Sequence, residues 1–299
     1  MRVVVSGAAG FVGTRLVSRL EARGDTVAGF DRELDVADGA AVAAFFERHN
    51  PEAVIHLAAR SSVAASFEDA EAVFRVNYLG TRSILEATRC RAPRARVILV
   101  GSGECYGVAA DPVRPFDEGA PLRPGSPYAR AKAAADLLGA AYAGGGLAVV
   151  RVRPFPHTGP GQSDTFAASS FARQIAELEL GRRDPPIRVG ALDAVRDYLD
   201  VDDVVEAYLR LLDPSVPLGI YNVARGEAVP IRRLLEGLLE RATSRFEVVV
   251  DPARLRAADA SIGDATRLRQ LTGWAPRIPL EDTLGRLIDD WRARVRASP

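Results

Sequence analysis

The sequence predicts an α/β fold, a doubly wound parallel sheet with a smaller mixed α/β lobe toward the C-terminus, and three observations carry that expectation. Short Val- and Ile-rich runs recur at 3–7, 26–31, 53–59, 96–102 and 147–155. Ala- and Arg-rich stretches with helical spacing separate them, and Gly7, Gly10 and Gly13 follow the first run directly. Continuous apolar strands alternating with amphipathic helices are the pattern of βαβ units, whose helices cover both faces of a parallel sheet.

The first strand leads into GxxGxxG, and Phe11 opens the first helix. Such a turn lets backbone N–H groups and a helix N-terminus approach a pyrophosphate, where a side chain would block the way and the helix dipole favours negative charge. The second strand ends in Asp31, placed to accept hydrogen bonds from a ribose and to repel a 2′-phosphate. NAD is therefore the expected cofactor, with NADP possible because Arg32 is adjacent. The third strand, AVIHLAA, carries His56 as a packed residue with no assigned chemistry, and the fourth ends in Ser102. After Phe155 a Pro- and Gly-rich loop leads to a helix near 164–180. A helix at 201–212 and a strand at 219–224 then rejoin the main sheet. The expected division is a Rossmann dinucleotide domain, 1–158 with 192–225, and a smaller second lobe, 159–191 with 226–299. Trp274 is expected to anchor the C-terminal lobe.

Tyr128 and Lys132, in SPYARAK, are four apart and so share a helix face. A phenol near its ordinary pKa of ~10 is a poor proton relay at neutral pH, and an ammonium beside it would favour phenolate. Of 39 basic residues only Lys132 is Lys. With seven Tyr in 299 residues, a lone Lys falls four after one by chance about 2% of the time, so the spacing is a signal. Ser102, at the carboxyl edge of the sheet, would orient and polarise a substrate oxygen.

The 39 acidic and 39 basic residues cancel, so no global field draws the chain to nucleic acid or an anionic membrane. No leader or membrane-length apolar run is evident, which makes the cytoplasm the expected compartment. Two cysteines, Cys90 and Cys105, are too few for a disulfide framework. No spacing of His, Cys and carboxylates suggests a metal.

With the glycine loop, HLAA (56–59), NYLGT (77–81), GSGECYG (101–107) and YARAK (128–132) in this order, the chain resembles the extended short-chain dehydrogenase/reductase family acting on nucleotide sugars. The resemblance implies that Ser102, Tyr128 and Lys132 are catalytic. It also implies that Asp35 and Val36 lie near the adenine, that Ala58 and Ala59 line the cofactor channel with Phe11, Val12, Leu57, Asn77 and Pro154, and that Lys132 holds the nicotinamide ribose. Segments 157–181 and 187–205 look most like GDP-4-keto-6-deoxymannose reductases. By that resemblance a GDP-linked sugar is favoured, with Arg196 and Arg256 clamping its phosphates, Asp259 on its ribose, Arg188 and Gly190 at the guanine, and Glu104 near the sugar, while His157, at a strand end beside the expected nicotinamide, is a candidate substrate contact by its position. The alternatives are a nucleotide-sugar 4-epimerase, a dehydratase like those acting on GDP-mannose, and a non-catalytic dinucleotide-binding regulator. Two departures bear on nucleotide choice: Pro156 stands where the family has Asn, and the segment after Arg256 is shortened. These enzymes often form dimers, which implies a homodimer through helices carrying Phe74, Leu85, Leu137 and Leu138.

Overall fold

The five Val-rich runs form parallel strands of one sheet, and a sixth strand joins them from far along the chain. The computed structural model describes residues 1–109, 114–252 and 259–297. The first half alternates β1 (Arg2–Ser6), α1 (Phe11–Ala22), β2 (Thr26–Phe30), α2 (Gly39–His49), β3 (Ala53–His56), α3 (Ala70–Phe74), α4 (Gly80–Arg91), β4 (Arg96–Val100), α5 (Pro127–Gly144) and β5 (Val149–Pro154). A π-helical turn, Arg75–Leu79, joins α3 to α4. Then follow β6 (His157–Thr158), α6 (Ala167–Glu179), β7 (Ile187–Val189), β8 (Val195–Arg196), β9 (Leu199–Asp200), α7 (Val201–Leu211) and β10 (Gly219–Val223). The chain continues through β11 (Val229–Pro230), α8 (Ile231–Leu239), β12 (Val248–Val250), β13 (Ala260–Ser261), α9 (Thr266–Thr272) and α10 (Leu280–Ala297).

The main sheet has the order β2-β1-β3-β4-β5-β10 with every pair parallel. Successive strand residues face opposite sides. Val3 and Val5 accordingly join one core with Leu16 and Leu20 of α1 and Tyr208 of α7, whereas Val4 joins another with Phe46 of α2 and Ile84 of α4. Burial on both faces is why these runs are continuously apolar. The connection from β1 turns toward β2 while that from β3 turns toward β4, so the strand order reverses between β1 and β3. A ligand crevice opens at the carboxyl ends of strands at such a point.

Leu85 is fully buried in the second core, so its side chain serves the interior of the subunit. A third core is built from Phe171 and Ile175 of α6, Leu234 and Leu238 of α8, and Leu287 and Trp291 of α10. Trp274 packs with the first core and donates its indole N–H to the Asp203 carbonyl at 2.9 Å. It therefore fastens the C-terminal segment to the main sheet. No helix among the described residues is long and apolar enough to cross a membrane.

Candidate active site

Backbone contacts fix the glycine turn. Gly7 has φ +75°, and a Cβ there would lie 2.8 Å from the Ala58 nitrogen. One on Gly13 would lie 2.1 Å from the Gly7 oxygen. Neither position can hold a side chain without moving backbone. Gly10 caps α1 with no side-chain hydrogen bond, leaving the first-turn N–H groups without a side-chain acceptor, as a phosphate site at a helix start requires. The turn therefore fits a dinucleotide pyrophosphate. Val12 packs on the first core, while the Phe11 ring lies nearly parallel to His157 with centroids 6.1 Å apart.

Asp31 directly follows β2, and its carboxylate accepts from the Ala9 N–H at 3.2 Å. Its own N–H donates to the Glu33 carboxylate at 2.8 Å, and Arg32 is exposed. Asp35 is ion-paired with Arg75, and Val36 is buried in the second core. Leu57, Ala58 and Ala59 are half-buried after β3, and Pro154 is buried at the end of β5. Asn77 brackets Arg60, accepting from its N–H at 2.9 Å and donating to its carbonyl at 3.1 Å. It thereby shapes the segment after β3.

Ser102 follows β4, and its hydroxyl accepts from the Glu104 N–H at 3.2 Å, starting the short turn Gly103–Tyr106. Ser126 caps α5 by accepting from Ala129 N–H at 3.1 Å, with Pro127 at the first helical position. These caps start α5 just before Tyr128, whose phenol lies near enough to the Ser102 hydroxyl to be influenced by it. Lys132, one turn on, donates to the Val100 carbonyl at 2.8 Å. All three side chains are buried. Burial pushes the Tyr128 phenol up, against the influence of the Ser102 hydroxyl and with the nearby Cys105 and Glu104 adding to the rise. The expectation that Lys132 brings the phenol down is not met, because desolvation dominates and the phenol rises. Tyr128 is a neutral phenol at neutral pH, a proton donor. Burial lowers Lys132 itself to about 8.

Residues distant in sequence meet at β8. Arg196 Nη1 pairs with Asp259 at 2.8 Å and donates to the carbonyls of Val195 and Asp259 at 2.9 and 3.2 Å. Its Nε lies 4.0 Å from Glu104. Arg188 is exposed on β7, its backbone held by the Gln174 amide at 2.9 and 3.1 Å, and Gly190 follows. Because β7 pairs with β12 in a separate sheet, Arg188 is not drawn into the Arg196 group by strand pairing. His157 Nδ1 donates to the Phe155 carbonyl at 3.0 Å, and burial lowers its pKa. Arg256 lies outside the described residues.

Two neighbours of Arg196 escaped sequence reasoning. Asp197 is fully buried and accepts from the N–H groups of Arg225, Gly226 and Gly263 at 2.9, 2.8 and 3.2 Å. Burial lifts it to about 6 while these donors oppose the rise. Tyr198, pushed up to about 12 by burial, shares the surroundings of Arg196 and Glu104. Their adjacency to Arg196 in RDYLD was the only available signal. Among the described residues no group of three or more His, Cys, Asp or Glu could hold a metal.

A family model described as the NAD dependent epimerase/dehydratase family matches residues 3–224. The chain belongs to the NAD-dependent epimerase/dehydratase family. The matched span runs from β1 through β10 and so includes the whole main sheet. Within this family the chain is 40% identical over 249 residues to a GDP-6-deoxy-D-mannose reductase from Pseudomonas aeruginosa, covering 82% of each. It is 31% identical to a UDP-glucose 4-epimerase from Mycolicibacterium smegmatis, covering 98% of this chain and 99% of that one. Among solved structures, RMD from Pseudomonas aeruginosa complexed with NADPH superposes with a TM-score of 0.89 at 34% identity, over 98% of this chain and 100% of that one. An epimerase/dehydratase relative of the other kind, a UDP-glucose 4-epimerase from Thermus thermophilus complexed with NAD, gives 0.88 at 30% identity over 98% and 99%.

Proposed function

We propose that this protein reduces the C4 ketone of a GDP-4-keto-6-deoxyhexose to a GDP-6-deoxyhexose of the GDP-rhamnose type. The observation that carries the chemistry is Tyr128, a buried phenol whose pKa burial raises, set beside the buried Ser102 hydroxyl. Reduction of a ketone develops negative charge on oxygen, and a positioned neutral acid is what that oxygen needs. The reductase relative from Pseudomonas aeruginosa supplies the substrate class.

The dinucleotide would rest on Gly7, Gly10, Phe11, Val12 and Gly13, with Asp31 toward its adenosine ribose and Lys132 toward the nicotinamide ribose. Bound NADH or NADPH supplies the hydride. Ser102 polarises the C4 oxygen, and Tyr128 then delivers its proton to the alkoxide. Lys132, with one ammonium proton on the Val100 carbonyl, has two left for hydroxyls. Arg196 neutralises phosphate charge, which a chain of zero net charge must do locally. Arg256 would assist, with Asp259 on the ribose, Arg188 and Gly190 at the base, and Glu104 and His157 at the sugar. The dinucleotide would thus belong to 1–158 with 192–225, and the nucleotide sugar to 159–191 with 226–299.

Exposed Phe74 on α3 and Leu137 on α5 support a homodimer through these helices. With both cysteines free, a reducing cytoplasm is the fitting compartment.

The epimerase relatives, matching 98% of the chain, support a second reading, a 4-epimerase that retains its NAD. The test is to incubate the protein with GDP- and UDP-linked 4-keto-6-deoxy sugars and NADH or NADPH, following loss of nicotinamide absorbance. The proposal expects stoichiometric consumption with the GDP-linked ketone. Dinucleotide that co-purifies, with UDP-sugar epimerisation needing no added cofactor and no ketone reduction, would replace it.

A further inference from the structure

Beneath the glycine turn lies a chain of buried polar side chains. Ser6, His56, Thr81 and Asn77 are each at most 1% exposed. Ser6 is the last residue of β1, His56 is its partner at the end of β3, and Thr81 lies in the first turn of α4. His56 Nδ1 is 2.6 Å from Ser6 Oγ, and His56 Nε2 is 3.1 Å from Thr81 Oγ1. Thr81 donates to the Asn77 carbonyl at 2.7 Å, and the Ala58 N–H donates to Ser6 Oγ at 3.4 Å.

Only one proton arrangement satisfies every member. The Thr81 proton is committed to the Asn77 carbonyl, so Thr81 Oγ1 must accept from His56, which places the imidazole proton on Nε2. Nδ1 is then an acceptor for the Ser6 hydroxyl, whose oxygen accepts from Ala58. In the opposite tautomer Ser6 Oγ would receive both the imidazole N–H and the Ala58 N–H while its own proton lost its acceptor, and a Thr81 proton turned to Nε2 would leave the Asn77 carbonyl. Leaving such buried groups unpaired is costly.

We infer that His56, fixed as the neutral Nε2–H tautomer, is a positioning residue that couples α4 to the glycine turn and holds the floor of the dinucleotide site. The chain ends at Ala58, whose nitrogen is the atom packed against Gly7, and at Asn77, which pins Arg60. Both ends therefore act on residues 57–60, the segment packed against the glycine turn at Gly7. Burial, with Lys132 nearby, pushes His56 down to about 3, consistent with an imidazole that never charges beside that ammonium. This inference rests on the reading of the turn as a dinucleotide site.

Two measurements test it. The protein has three histidines, so long-range nitrogen–proton NMR, assigned with a His56→Gln variant, resolves the ring of interest. The expected result is a neutral Nε2–H ring unchanged from pH 5 to 8, and an Nδ1–H ring or an imidazolium would overturn the inference. In parallel, Thr81→Val removes only the hydroxyl in a side chain of the same shape. Its dissociation constant for NADH or NADPH should rise about 10-fold with kcat at saturation within about twofold of the parent. A variant with a lowered Tm but parental affinity would show a purely structural role and defeat the proposal. A parent that binds neither dinucleotide would defeat the reading of the turn, and this role with it.

Discussion

The Asp136 carboxylate and the Arg153 guanidinium meet in a two-pronged ion pair, Nη2 to Oδ2 at 2.8 Å and Nε to Oδ1 at 3.1 Å, with both side chains almost fully buried. Asp136 lies one turn beyond Lys132 and two beyond Tyr128, on the same face of α5. Arg151 adds a contact at 3.0 Å, and Arg153 Nη1 donates to the Tyr106 hydroxyl at 2.9 Å. Tyr106 in turn donates to Asn222 at 2.7 Å. The cluster ties α5 to β5, to β10 and to the turn that begins at Ser102.

Removing one partner of a buried pair strands the other charge, which costs about 3–5 kcal/mol. Asp136→Ala leaves two guanidinium groups uncompensated and should lower stability by that amount. Asp136→Asn keeps an acceptor and should lose less. Urea unfolding measures both, and an Asp136→Ala variant within about 1 kcal/mol of the parent would show that the pair does not stabilise the fold.

The parts legible in the sequence are the local ones. Gly7, Gly10 and Gly13, and likewise Tyr128 and Lys132, sit within one turn or one helix, where backbone geometry converts spacing into position. Asp136 could have been found by extending that spacing one turn, since 128, 132 and 136 share a face. The Arg196–Asp259 pair and the His56–Thr81 contact join residues 63 and 25 positions apart, and no periodicity encodes such pairings.

NADH should bind more tightly than NADPH. The Asp31 carboxylate is held after β2 by the Ala9 N–H, and Glu33 brings a second carboxylate to the Asp31 backbone. A 2′-phosphate would meet both charges. Asp31→Ala should narrow or reverse the preference in fluorescence titrations, and equal affinities in the parent protein would refute the argument.

Tyr128→Phe deletes the acid and retains the ring. Cofactor affinity should stay near that of the parent while kcat falls by on the order of 10² to 10⁴, the usual worth of a positioned general acid. Because burial raises the phenol, the parent should show no loss of rate from phenol ionisation up to about pH 9. Single-turnover kinetics separates the two quantities, and an unchanged kcat would remove Tyr128 from the proton transfer.

Lys132 also predicts a pH dependence of stability. Its folded value of about 8 lies below the ordinary 10.5, so between these values the unfolded chain binds the extra proton. Stability from this group therefore rises with pH across that window. Urea midpoints of the parent and of Lys132→Met, compared at pH 7.5 and pH 10, should show the parent gaining on the variant. A parent that loses ground would mean that Lys132 is not desolvated as placed.

The final prediction concerns the same residue as chemistry. Lys132→Arg conserves charge and matches every other basic residue in the chain, yet it should abolish most activity. The Lys132 side chain is 4% exposed and gives one proton to the Val100 carbonyl at 2.8 Å, one residue short of Gly101 and two short of Ser102. That space fits a compact ammonium, whereas a guanidinium is a wider planar fork with fixed donor directions. Accommodating it would shift either the end of β4, and Ser102 with it, or the helix carrying Tyr128. Charge alone does not supply the position. We expect kcat/KM to fall at least ~100-fold, about 2.7 kcal/mol of transition-state stabilisation, with the fold intact by thermal melt. Turnover within a few-fold of the parent would mean that the lone lysine is an accident of composition and that any cation at this depth serves.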